Sequence, residues 1–201
     1  MILRAAERRA APWKNGGGLT REVALDPPGS DLGRFDWRVS IAEVHRGGPF
    51  SSFPGVDRHM AVLSGRLALA MADRGTLTLV PENPPLTFAG DLAVTAEPLQ
   101  SPVTDLNVMT RRGRYVARLS RYSLPASTQI RFEADTTLIL ALTELTLHAA
   151  SIDARLSALD AARFAASAES LTVEGSGDAA GFWLIEIRAS HQRGGGADLT
   201  A

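Results

Sequence analysis

The chain has 201 residues, 45% of them hydrophobic and 21% charged, with a formal net charge of -1. That is enough to bury a real core, without the basic balance that nucleic-acid binding calls for. With no cysteine, disulfides, thiol catalysis and Cys-ligated metal drop out.

The chain opens with Met1-Ile2-Leu3-Arg4-Ala5-Ala6-Glu7-Arg8-Arg9, too charged for the apolar region of a secretory signal. No stretch approaches the ~18 apolar residues of a membrane span. The expectation is a cytoplasmic protein with neither a membrane nor a nucleic acid as partner. Next comes Ala11-Pro12-Trp13-Lys14-Asn15-Gly16-Gly17-Gly18-Leu19-Thr20-Arg21-Glu22, which holds the one lysine of a chain with twenty arginines. A composition rich in Arg, Ala, Gly and Pro replaces lysine wherever any surface cation serves. A lysine kept here points to a need for a compact ammonium, which the planar guanidinium fork does not replace. The adjoining glycines allow positive φ and close approach, and successive N–H groups in such a turn form an anion-binding concavity.

Short strand-like runs between Gly, Pro, Asn and Asp then recur to the end, the pattern of a sandwich or barrel. Phe35 to Ile41 alternates strictly, with Phe35, Trp37, Val39 and Ile41 on one face and Asp36, Arg38 and Ser40 on the other. Alternation alone does not say which face lines a lumen. Further strands are expected at Met60 to Leu63, Leu67 to Met71, Thr76 to Val80, Leu86 to Phe88, Leu106 to Thr110, Thr136 to Leu142, Leu145 to Leu147, Leu171 to Val173 and Phe182 to Ile187. The cluster Arg111, Arg112, Arg114, Arg118 and Arg121 reads as a solvated strand end and connector. The order of strands after it loosely repeats the order before it, so a duplicated architecture with a seam near Arg112 to Leu124 is expected. Between Ile152 and Ala166 the apolar spacing is near-helical and alanine-rich, but the duplicated register favours loop and strand. The segment from Ser190 to Ala201 is expected to be a disordered tail.

The chemistry-bearing residues narrow the function. His45, His59, His148 and His191 contain no His-x-His pair with a following carboxylate, so neither a metal nor any other cofactor is expected. There is no Gly-x-Ser-x-Gly elbow. Lys14 precedes its glycines, opposite to a phosphate loop. Glu22, Asp36, Glu43, Asp57, Asp91 and Asp105 are candidate acids or bases. What remains is a recognition site for a small polar acid. It combines Lys14 and the glycine amides with Asn15 and Thr20 as neutral partners, Arg38 as a bidentate clamp, and Trp13 or Phe88 as an apolar wall.

Pro12 to Glu22, Phe35 to Val44, Gly48 to Arg58, Phe88-Ala89-Gly90-Asp91 and Asp105 to Arg112 together resemble the HutD/Ves family. The resemblance implies an all-β chain, a duplicated double-stranded β-helix of the cupin superfamily (a bicupin, RmlC-like jelly roll). Its halves would be residues 1–112, which carry the family motifs, and a degenerate 113–189. It also implies an accessory role in histidine utilisation, sensing a pathway intermediate such as formylglutamate. The leading expectation is therefore a non-catalytic binding protein for a small acidic metabolite. Its site comprises Trp13, Lys14, Asn15, Gly17, Thr20, Arg38 and Asn107, closed by Asp57, Arg58 and Phe88. The alternatives are a metal-independent enzyme on the same class of acid, with Glu22, Asp57 or His59 as acid or base, and an interaction module forming a homodimer through strand edges.

Overall fold

The computed structural model describes residues 1–124, 127–150, 152–175 and 180–190; the tail from 191 onward lies outside the described residues. The strands are β1 (Ile2–Leu3), β2 (Ala10–Pro12), β3 (Gly18–Asp26), β4 (Trp37–Val44), β5 (Gly48–Pro49), β6 (Val56–Met71), β7 (Gly75–Leu79) and β8 (Leu86–Ala89). They continue as β9 (Val94–Arg111), β10 (Tyr115–Leu124), β11 (Ser127–Ala141), β12 (Leu145–Ala149), β13 (Ile152–Leu156), β14 (Ala161–Gly175) and β15 (Ala180–Ala189). Helix among the described residues is one 3-10 turn, Ala5–Glu7. Among the described residues no helix is long and apolar enough to cross a membrane.

The strands form two antiparallel sheets. The first runs β2-β3-β4-β9-β6-β7, with β5 on β9 and β8 on β6. The second runs β10-β15-β11-β14-β12-β13, with β1 on β14. Residues 2 and 3, which belong by sequence to the expected 1–112 half, thus pair with the second sheet through Ile2↔Ala162 and Leu3↔Ala161.

Period-two alternation sorts the side chains into three layers. Trp37, Val39 and Ile41 of β4 and Leu106 and Val108 of β9 pack against Leu138 and Leu140 of β11 and Trp183, Ile185 and Ile187 of β15, gluing the sheets back to back. The opposite faces of β11 and β15 send Ile139, Ala141, Phe182 and Leu184 into a second interior. That interior is filled with hydrocarbon, including a stacked Phe132–Phe164 pair at 4.4 Å. A third cluster, with Met60, Val62, Leu67, Leu69, Phe88 and Val103, fills part of the first interior.

One local expectation changes, and one is borne out. Met60 to Leu63 and Leu67 to Met71 are one strand, because Ser64-Gly65-Arg66 makes register shifts against β9 rather than a turn. Such irregularities bend a strand without ending it. Ile152 to Ala166 is strand, turn and strand. Its near-helical alanine pattern has a different cause, since Ala161 faces the middle layer and Ala162 the second interior. Small side chains suit a strand squeezed between two cores.

Candidate functional site

The turn joining β2 to β3 is built by its own backbone. Trp13 and Gly18 close it (Trp13 N to Gly18 O, 2.9 Å), and Gly16 N donates to Trp13 O at 2.9 Å. Gly16 has φ +66, which glycine adopts without strain. At Gly18 a Cβ would collide with the carbonyl oxygen of Glu43 and press on the Trp13 ring. Gly17 N donates to Asn15 Oδ1 at 2.9 Å, and Gly17 O accepts from the backbone of His45 (2.9 Å) and Arg46 (3.0 Å). The glycines thus hold the turn against the β4–β5 connection. The N–H groups of Gly16 and Gly17 are already bonded, so the expected anion concavity of glycine amides is not offered by this pair.

What the turn presents is side chains. Trp13, Lys14, Asn15 and Thr20 all line a cavity of about 610 Å³, a size that suits a small metabolite. Trp13 Nε1 donates to Thr20 Oγ1 at 2.8 Å, which fixes the indole as one wall. Lys14 is exposed and has no hydrogen bond or ion pair among the described residues.

The floor comes from the inward rows of β4, β9 and β6. The register sets Arg38 opposite Met109, Ser40 opposite Asn107 and Ala42 opposite Asp105. On the other side of β9, Arg58 lies opposite Met109. Arg38, Ser40, Ala42, Arg58, Asp105, Asn107 and Met109 all line the cavity. This answers what alternation left open, because the polar face of β4 is the lumen and its apolar face is the middle layer.

Three polar floor residues are almost removed from water: Arg58 is 5% exposed, Asp105 1% and Asn107 5%. Arg58 Nη2 donates to Asn107 Oδ1 at 2.7 Å, and Asn107 Nδ2 donates in turn to Asp105 Oδ1. The Arg58 guanidinium lies 4.7 Å from the ring centroid of Phe50, 5.1 Å from Phe88 and 5.9 Å from Phe53, a cation–π enclosure. Its Nε is buried and has no partner, so a donor is left over in a place where an unmade hydrogen bond is costly. Burial pushes the Asp105 carboxyl up to about 7, with Arg58 pulling it down. Burial lowers Arg58 to about 10, with Asp105 opposing and Arg38 adding to the fall. Arg38 is held by Glu22 (Nε to Oε2, 3.1 Å) and by Ser40 Oγ at 3.3 Å.

The ten residues expected from sequence divide accordingly. Trp13, Lys14, Asn15, Thr20, Arg38, Arg58 and Asn107 meet around the cavity. Phe88 stands behind Arg58 as part of its aromatic enclosure. Gly17 shapes the turn. Asp57 is not in the site, since as Arg58's neighbour on one strand it points to the opposite face, where it pairs with Arg112 at 2.7 Å. Of the proposed acids and bases, His59 is also outside the cavity, bonded through Nδ1 to Thr87 Oγ1 at 2.9 Å, and burial lowers its pKa. Glu22 reaches the cavity only through Arg38. Asp105, Ser40, Phe50, Phe53 and Met109 were not anticipated in the site. The signal for three of them was present, because period two from Asn107 gives Asp105 and Met109, and from Arg38 gives Ser40. Among the described residues no group of three or more His, Asp or Glu side chains could hold a metal ion.

Comparison with known proteins gives consistent matches. The HutD family model matches residues 5–181. A Pseudomonas putida protein described as an uncharacterized 21.2 kDa protein in the hutC 3′ region is 32% identical over 190 residues, covering 92% of this chain and 96% of that protein. Protein Ves of Citrobacter koseri is 39% identical over 108 residues, 53% of this chain and 56% of its own length. The solved structure of HutD from Pseudomonas fluorescens matches with TM-score 0.79 at 29% identity, over 94% of this chain and 98% of that one. Bacillus subtilis oxalate decarboxylase matches with TM-score 0.65 at 10% identity, covering 92% of this chain and 76% of that one, a likeness of cupin-like fold alone.

Proposed function

The chain belongs to the HutD family, and on that premise we propose that it is a cytoplasmic, non-catalytic binding protein for a small acidic metabolite that regulates or supports histidine utilisation. The observation that carries this reading is Arg58: a cation 5% exposed, boxed by three rings, lining a cavity that also holds Arg38 and Lys14. A carboxylate in the cavity would be drawn to this guanidinium through a charge-assisted bond, and Lys14 at the mouth would meet a second acidic group.

We read the architecture as a duplicated bicupin, residues 1–112 and 113–189, of which one half binds. The duplication is supported by equivalent strand orders, β4-β9-β6-β8 and β10-β15-β11-β14. Taken in chain order within each set of four, the first strand pairs with the fourth, the fourth with the second, and the second with the third. Binding by the first half alone is supported by the contrast between its polar cavity and the hydrocarbon that fills the other interior.

The experiment is calorimetric titration of metal-free protein with histidine, urocanate, formylglutamate, glutamate and phosphate, beside Lys14→Met and Arg58→Met. One acid should bind selectively. Its affinity should fall about tenfold or more in Lys14→Met, a charge-assisted bond at the rim, and binding should vanish in Arg58→Met, with both variants folded by circular dichroism. Silence from every compound would sink the reading. A second reading, a metal-independent enzyme acting on the same acid, is favoured by one feature, the Asp105 carboxyl pushed up to about 7, a value suited to acid–base work near neutrality. Turnover by metal-stripped protein that disappears in Asp105→Asn would establish it.

A further inference from the structure

The floor of the cavity couples two ionic groups through one amide. Arg58 donates to Asn107, and Asn107 donates to Asp105. The arrangement tolerates either state of Asp105, since Oδ1 accepts from Asn107 whether or not the carboxyl carries a proton. The other charged groups lining the cavity are Arg38 from β4 and Lys14 from the β2–β3 turn, with Glu22 of β3 engaged by Arg38. None of the three described histidines, His45, His59 and His148, lines it. Asp105 is therefore the buried carboxyl of the site, and the buried guanidinium of Arg58 is the charge that favours its ionised form.

We propose that an anion bound at Arg58 is taken up together with a proton on Asp105, so that the site accepts its ligand as an acid rather than as a bare anion; the proposal rests on the binding reading above. The reason is competition for one cation in a low-dielectric pocket. In the free protein, Arg58 offsets part of the cost of a buried Asp105 carboxylate. A ligand carboxylate on Arg58 neutralises that charge and adds a second negative charge nearby, and two buried carboxylates sharing one site push a pKa strongly upward. Asp105 then takes a proton from solvent. Its free carboxyl lies at about 7, so above neutrality the uptake approaches one proton per ligand. By linkage, affinity then falls by up to about tenfold per pH unit until the pH reaches the carboxyl's value in the complex.

The test is calorimetry of the full chain at about pH 8 with formylglutamate, glutamate and glutarate, none of which titrates there, in HEPES and in Tris, whose ionisation enthalpies differ widely. Expected are heats that differ between the buffers by close to one proton per bound ligand, and an affinity that weakens from pH 7 to pH 8.5. In Asp105→Asn, which carries no ionisable group at this position, the heats should agree between the two buffers and the affinity should no longer change with pH; a variant that keeps the wild-type buffer difference would overturn the proposal. Equal heats in both buffers with saturable wild-type binding would overturn the proposal and leave the binding reading intact. No heat from any of the three overturns the proposal, and silence from urocanate, histidine and phosphate as well removes the reading beneath it.

Discussion

The carboxyl of Asp105 also carries a stability cost whose sign follows from its environment. Its ordinary value is 3.8, and burial raises it to about 7 in the folded chain, against the pull of Arg58. The folded state therefore holds a proton that the unfolded chain releases between about pH 4 and pH 7. The stability tied to that proton is fully present below about pH 4, is lost as pH rises through 7, and stays lost above it. Asp105→Asn removes the ionisable group, so the variant should be more stable than wild type at pH 8 by up to about 4 kcal/mol. At pH 4 the two should be nearly equal. Urea unfolding of both proteins at the two pH values checks this, and equal stabilities at pH 8 would mean the carboxylate is better solvated than its burial implies. This residue also marks the limit of the sequence reading. Lys14, Arg38 and Asn107 stand out by type and motif, whereas Asp105 is one of six candidate acids or bases and of twelve carboxylates in residues 1–112. Choosing among them needs to know which face of β9 meets Arg58, and register is a tertiary fact. Gly17 misleads for a related reason. A glycine run signals a tight turn reliably, but whether its amides face a ligand or bond within the turn depends on Asn15 Oδ1 and on the carbonyl of Trp13.

At the scale of elements, the N-terminal strand is the least expected feature. Two residues, Ile2 and Leu3, pair with β14 of the second sheet before the chain enters the first. A motif-based division assigns them to the first half, because a two-residue strand carries no periodicity to read. What holds the strap is Asp160, which accepts from Ala5 N at 2.7 Å, Arg4 Nη1 at 2.8 Å and Ser157 N at 3.1 Å. Burial pushes this carboxyl up, but the bonds from Ala5, Arg4 and Ser157 outweigh burial and hold it below the ordinary carboxylate range. Its stabilisation is thus present above the unfolded value and is lost as pH falls through the lower folded one. Asp160→Ala should cost about 1–3 kcal/mol at pH 7, the price of leaving the Ala5 and Ser157 donors unpaired, and the penalty should shrink towards pH 3. An equal penalty at both pH values would show that packing, not the carboxylate, secures the strap. The longer strands were legible in their cores and not in their extents. Leu106 to Thr110 is only the end of β9, which begins at Val94 and runs through Pro98 and Pro102, residues that ordinarily mark a boundary.

At the scale of the whole molecule, the two sheets differ in what they enclose, and the difference explains how an open, polar cavity is held in shape. Strands β4 and β9 carry the site on one face and bury the other against β11 and β15. The cavity floor is therefore braced from behind by the middle layer, where Trp37 is 2% and Trp183 1% exposed. The interior of the second sheet is packed with Leu124, Ile139, Leu145, Leu171 and Phe182. A chain comprising residues 1–112 alone contains every site residue, yet it would present Trp37, Val39, Ile41, Leu106 and Val108 to water as one contiguous patch, the kind that drives association. It would also lose the sheet on which Ile2 and Leu3 pair. The expected outcome is a fragment that aggregates or elutes as an oligomer, lacks the cooperative unfolding of the whole chain, and shows no calorimetric binding of the acid the whole chain selects. Size-exclusion chromatography, thermal unfolding followed by circular dichroism, and titration of the fragment check the three parts. A monomeric fragment that unfolds cooperatively and binds the acid would mean that the middle layer is an accessory of the fold and that the first half is an autonomous domain. Failure of the fragment, with the whole chain binding one acid, would instead make the filled half the structural support of the open one.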